Sequence, residues 1–133
     1  MQIAAAVSAA VVFCPAGAAA EKSRDVSFLH DVMPVLSKAG CNQGGCHGNA
    51  SGKGGFRLSL RGQDAAFDHR WLTRESHGRR IDRLEPDASL LLLKATSQIS
   101  HQGGKRFARQ SLEYQLLRNW IAAGAPRPLT DVA

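Results

Sequence analysis

The chain has 133 residues, with 17 Lys and Arg against 11 Asp and Glu and a net charge of +6 with histidine neutral; its pI is near 9.8. That length suits one compact domain, and nothing in it approaches the roughly 20 consecutive apolar residues of a stable membrane span. Arg70, Arg74, Arg79, Arg80 and Arg83 invite a nucleic-acid reading, but no stacking aromatics or fold signature accompany them; the charge suits plain solubility or an acidic protein partner instead.

Residues 1–20 carry no charged side chain, run apolar from Ile3 to Phe13 and end in Ala18-Ala19-Ala20 before Glu21. They read as a secretory signal peptide, although no Lys or Arg stands near Met1. Cys14 follows the bulky Phe13 and is expected to leave with that segment rather than carry a lipid. A single domain then spans 21–133, exported to the periplasm or secreted. Ser27 is placed to cap a helix over about 28–38, with Phe28, Val32, Val35 and Leu36 on one face, Pro34 as a kink and Gly40 as a left-handed stop.

The segment from Gly48 to Gly55 is too rich in small residues to be a regular element. Phe56, Leu58 and Leu60 alternate with Arg57, Ser59 and Arg61, the pattern of a short extended segment whose apolar side would line a pocket. A short helix is expected over about 64–72, and Pro86-Asp87 opens another whose Leu90 to Leu93 cluster reads as core. An irregular loop from Ser97 to Arg109 holds His101, Gly103 and Gly104. Ser111 caps a last helix through Ala123, with Tyr114, Leu117, Trp120 and Ile121 in one stripe and Gly124 and Pro126 as its stop.

The most specific chemistry lies in Cys41-Asn42-Gln43-Gly44-Gly45-Cys46-His47. Two thiols and an adjacent histidine are the elements of covalent haem attachment, where the sulfurs bond the vinyl groups and the imidazole binds iron. The usual gap between the cysteines is two residues and here it is four, so the loop must bulge; Gly44-Gly45 would supply positive φ for that. Two other readings stay open, a Cys41–Cys46 disulfide and a zinc site, for which no second ligand pair at similar spacing is present. On the haem reading the plan is all-α, with first and last helices crossing around the ring and Gly-rich loops between them.

His47, tethered through Cys46, is then the proximal iron ligand. Met1 and Met33 are the only methionines and neither lies downstream of the motif, so the sixth ligand is sought among histidines. His101, 54 residues after His47 and in the loop before the last helix, is the first candidate and His77 the second, whereas His69 and His30 are expected on solvated helix faces. An empty sixth position would instead make a sensor or weak peroxidase. Arg57, Arg79, Arg80 and Lys105 are candidate counter-charges for the haem propionates.

The run also resembles the planctomycete-type cytochrome c domain found near the N-terminus of large exported bacterial proteins. The likeness is carried by Ala39-Gly40-Cys41, Cys46-His47-Gly48, Gly54 to Gly62, Gly78-Arg79-Arg80-Ile81, Pro86 with Ser89-Leu90-Leu91, His101 with Gly103 to Phe107, and Trp120-Ile121 with Gly124-Ala125-Pro126. A four-residue gap is familiar in that family, and His101 stands where many relatives carry Met-Pro-Pro. The resemblance implies a mono-haem c-type cytochrome that passes single electrons to a redox partner without transforming a substrate. Relatives continue into much longer domains, so a truncated and a stand-alone version are both open. The rival from another class is a small exported binding module stapled by zinc or a disulfide.

Overall fold

Ser27 opens the first helix as its sequence position predicts: its Oγ accepts the His30 N–H at 3.2 Å. The computed structural model describes residues 25–128, and the expected signal segment with Cys14 lies outside them. The helix begins with a π-helical turn, Phe28–Val32, and continues as α1, Met33–Lys38. Pro34 explains the widened turn, because it offers no N–H to the carbonyl four residues earlier and its ring crowds that carbonyl; the Met33 N–H reaches back to Phe28 O instead. Phe28, Val32, Met33, Val35 and Leu36 are buried.

At the other end Gly40 takes φ +75°. The Gly40 N–H bonds Ser37 O at 3.0 Å and the Cys41 N–H bonds Leu36 O at 2.9 Å, the paired bonds of a Schellman stop. The first cysteine is thereby pinned to the end of a packed helix.

The chain from 48 to 59 is irregular, with one isolated bridge between Lys53 and Phe56. The expected alternation breaks after Leu58. Leu58 is buried in the core, but Leu60 is 42% exposed and starts a 3-10 turn, Leu60–Gly62, in which Arg61 sits at φ 55°. The buried Asp68 carboxylate accepts the Ser59 N–H at 2.5 Å and the Ser59 hydroxyl at 2.9 Å, which draws the chain round toward α2, Ala65–Thr73, capped by Asp64. No strand forms among the described residues.

Pro86–Ala88 is a 3-10 turn separated from α3, Leu90–Ala95, by Ser89 at ψ 130°. Of the four leucines read as core, Leu92 is fully buried, whereas Leu90 and Leu91 are partly exposed and line a cavity. The last helix, α4, is Leu112–Ala122; Ser111 Oγ accepts the Tyr114 N–H, and the predicted stripe of Tyr114, Leu117, Trp120 and Ile121 is wholly buried. First and last helices meet at both ends: the Phe28 and Trp120 rings lie 5.2 Å apart, and Lys38 Nζ pairs with Glu113 Oε1 at 2.5 Å. The aromatic contact carries most of that docking, since an exposed ion pair is worth little.

His69 is not on a solvated face. It is buried, set edge-on to the Phe28 ring at 5.1 Å, with Nε2 donating to Ala125 O at 3.0 Å. Burial lowers its pKa below the ordinary 6.5; the Ala125 carbonyl works the other way, and the charges of Arg127, Arg74 and Arg83 reinforce the lowering. A ring that resists protonation when folded gives the unfolded chain the greater proton affinity, so stability falls as pH drops below about 6.5, until the folded ring also takes its proton. Thermal melts between pH 7 and pH 4 are expected to show that loss, and His69→Gln to flatten the acid-side slope; an identical slope in the variant would assign the loss to other groups. His30, by contrast, is exposed as expected.

Candidate functional site

The Cys41–His47 loop closes on itself. His47 N–H bonds Cys41 O at 3.0 Å, Cys46 N–H bonds Gln43 O at 2.9 Å, and the Asn49 side-chain amide donates to Gly44 O at 2.9 Å and Cys46 O at 3.0 Å. The longer gap is thus held by a side-chain clasp. Gly44 and Gly45 are not among the residues at positive φ, which corrects the expectation that they form the bulge through left-handed backbone. The indispensable glycine is the next one: a Cβ on Gly48 would lie 1.9 Å from Asn42 O.

Cys41 and Cys46 are both unbonded thiols, and both line a cavity of about 500 Å³, within the range of small-molecule and cofactor sites. Burial pushes the Cys41 thiol up to about 11, with nearby Arg106 pulling it back and Cys46 adding to the rise. With no cation bound it is therefore a neutral thiol at pH 7 rather than an activated thiolate nucleophile. No group of three or more His, Cys, Asp or Glu side chains is placed to hold a metal among the described residues.

The two histidines singled out from the sequence face each other across this cavity. Their rings are parallel to within 9° with centroids 6.5 Å apart. Each ring is oriented from behind by main chain: His47 Nδ1 donates to Phe56 O at 3.1 Å and His101 Nδ1 to Gly104 O at 2.8 Å. Because a carbonyl only accepts, Nδ1 is the donor in both, which in a neutral ring leaves Nε2 with the lone pair, the tautomer of an oriented metal ligand. Burial holds His47 below its ordinary pKa; the Phe56 carbonyl opposes this and His101 adds to it.

Gly103 makes room for the second ring: a Cβ there would come within 2.9 Å of His101 Cε1. His77 is exposed, sits at φ 60° and does not line the cavity, so the structure brings His101 to His47 and leaves His77 outside. Met33 is buried in the core.

Phe56, Leu90, Leu91 and Ala95 supply the apolar part of the wall, and Lys53, Arg79, Arg80, Lys94 and Arg106 the charged part, with no carboxylate among the lining residues. That balance suits an apolar body bearing acidic groups. Two of the four expected counter-charges, Arg79 and Arg80, are there; Arg57 lies over the Phe67 ring at 5.1 Å, and neither it nor Lys105 lines the cavity. Lys53, Lys94 and Arg106 escaped sequence reasoning because nothing local distinguishes them from solvated side chains. Arg106 is fixed by donating from Nε to Ala39 O at 2.7 Å and from Nη1 to Gly103 O at 3.0 Å, so it joins the end of the first helix to the His101 loop.

Compared with protein-family models, with curated proteins and with solved structures, the chain matches none.

Proposed function

We propose that this chain is an exported c-type cytochrome domain of the planctomycete type, carrying one covalently attached haem and passing single electrons. The observation that carries the reading is the convergence of four residues on one cavity: Cys41, Cys46 and His47 from one loop, and His101 from another 54 residues away. Neither a zinc staple nor a disulfide asks for a second, parallel imidazole across a cavity ringed with cations.

In this role Cys41 and Cys46 would hold the porphyrin through thioethers, His47 and His101 would be the nitrogen ligands to its iron, and the basic wall would offset its propionates. The haem supplies a one-electron ferric–ferrous couple, with ligation, burial and second-shell hydrogen bonds as the protein's means of setting it. With both histidines bound, small ligands would be kept off the iron, which favours electron transfer over sensing or peroxidase chemistry. The exposed Lys53, Arg79 and Lys94 at the cavity favour docking of an acidic redox partner, with an on-rate that falls as salt rises. No helix among the described residues is long and apolar enough to cross a membrane.

The test is maturation. Produced with c-type haem assembly machinery, the protein is expected to be red, to keep its haem in acid-acetone and to gain the mass of one haem. Cys41→Ser with Cys46→Ser is expected to release the haem under the same treatment. Wild-type protein weighing no more than its amino acids would overturn the reading.

A further inference from the structure

Arg80 is a buried cation, 6% exposed, on the wall that also carries His47 and Phe56. Among the described residues its hydrogen bonds go to neutral oxygens: Gly55 O at 2.5 Å, Glu75 O at 2.8 Å, Trp71 O at 3.1 Å and Ser76 Oγ at 3.4 Å. Its guanidinium also lies 4.7 Å from the Phe56 ring centroid. No carboxylate forms a salt bridge with it among the described residues, and Glu75 is engaged by Arg70 at 3.6 Å. A buried charge with no carboxylate in salt-bridge contact is costly, and the fold meets that cost with four oxygens, an aromatic face and, at longer range, the Glu75 charge. The same residue backs the turn whose Phe56 carbonyl orients His47, since it grips Gly55 O.

We propose that Arg80 is a positioning residue that sets the reduction potential of this site by holding a fixed positive charge beside it; the inference rests on the haem reading above. Reduction adds one electron, from a one-electron donor such as dithionite in a titration, and makes or breaks no bond. The site therefore becomes more negative by one charge, and a buried cation favours that state. The sign is the same whether Arg80 faces the iron or the cofactor's own carboxylates, because removing it leaves the site more negative in either case. Arg79, on the same wall, is exposed, so solvent screens its charge and its influence is smaller.

The experiment is a potentiometric titration of haem-loaded wild type, Arg80→Gln, Arg80→Lys, Ser76→Asp and Arg79→Gln. Ser76 is exposed, its Oγ is 3.4 Å from Arg80 Nη2, and its φ of 53° is one that Asp tolerates, so Ser76→Asp offsets the charge while leaving the guanidinium in place. Arg80→Gln and Ser76→Asp are expected to lower the midpoint potential, Arg80→Lys to stay close to wild type, and Arg79→Gln to shift it less than Arg80→Gln. If Arg80→Gln does not fold, Ser76→Asp decides the matter alone. Haem-loaded Arg80→Gln or Ser76→Asp with the wild-type potential, or Arg80→Lys falling as far as Arg80→Gln, would overturn the role of the charge and leave the haem reading standing. Wild-type chain that takes up no haem would overturn both.

Discussion

His101→Met is expected to raise the midpoint potential on the order of 100 mV, a modest part of the roughly 0.8 V that axial ligation spans, and to replace the near-infrared signature of a bis-histidine site. His101 faces His47 at 6.5 Å, and its Nδ1 proton is committed to Gly104 O, so the substitution exchanges an oriented imidazole for a thioether, which favours ferrous iron. His101→Ala is expected to leave a five-coordinate, high-spin ferrous site that binds carbon monoxide. His77→Ala is expected to change neither spectrum nor potential, because His77 is exposed and outside the cavity. Unchanged spectra in both His101 variants would remove it from the iron and reopen the search for the sixth ligand.

Gly48→Ala is expected to destabilise the protein by about 3 kcal/mol, the upper part of the usual range for overpacking, which for a domain of this size lowers Tm by on the order of 10–20 °C. Its added Cβ would meet the Asn42 carbonyl oxygen at 1.9 Å and its carbon at 2.5 Å. Both are main chain, and the same carbonyl already accepts the Arg61 N–H at 3.0 Å, so relief requires the attachment loop to open. Gly45→Ala is the matched control. Nothing lies within 4 Å of a Cβ there, and Gly45 is not at positive φ, so it is expected to melt within about 0.5 kcal/mol of wild type, as a surface substitution does. The pair separates two accounts of the four-residue gap: if glycine freedom at 44–45 made the bulge, Gly45→Ala would be the damaging change. Equal melting of the two variants would contradict the close approach at Gly48.

The helices were legible because each advertises its ends as well as its buried face. Ser27 and Ser111 cap as read, Asp64 proves to cap the helix expected to start with it, and Gly40 and Gly124 both stop their helices at positive φ. The readings that failed depended on which of two apolar environments a side chain enters. Leu90 and Leu91 are as apolar as Leu92, yet only Leu92 is fully buried while the other two face the cavity. His69 lies on a short helix with polar neighbours, and only the arrival of Phe28 and Ala125 from distant parts of the chain encloses it.

The same division runs through the site. Local sequence was sufficient to single out Cys41, Cys46 and His47, because adjacency alone delivers two thiols and an imidazole to one loop whatever the rest of the chain does. It also nominated His101, by default of methionine and by its place before the last helix. Only the tertiary structure set the His101 ring parallel to His47, turned His77 away, surrounded the cavity with Lys53, Lys94 and Arg106, and buried Arg80 behind Phe56. The physical reason is range: caps, stops and neighbouring ligands are fixed by bonds spanning a few residues, whereas the walls of a cavity are assembled from segments whose meeting depends on how the whole core packs.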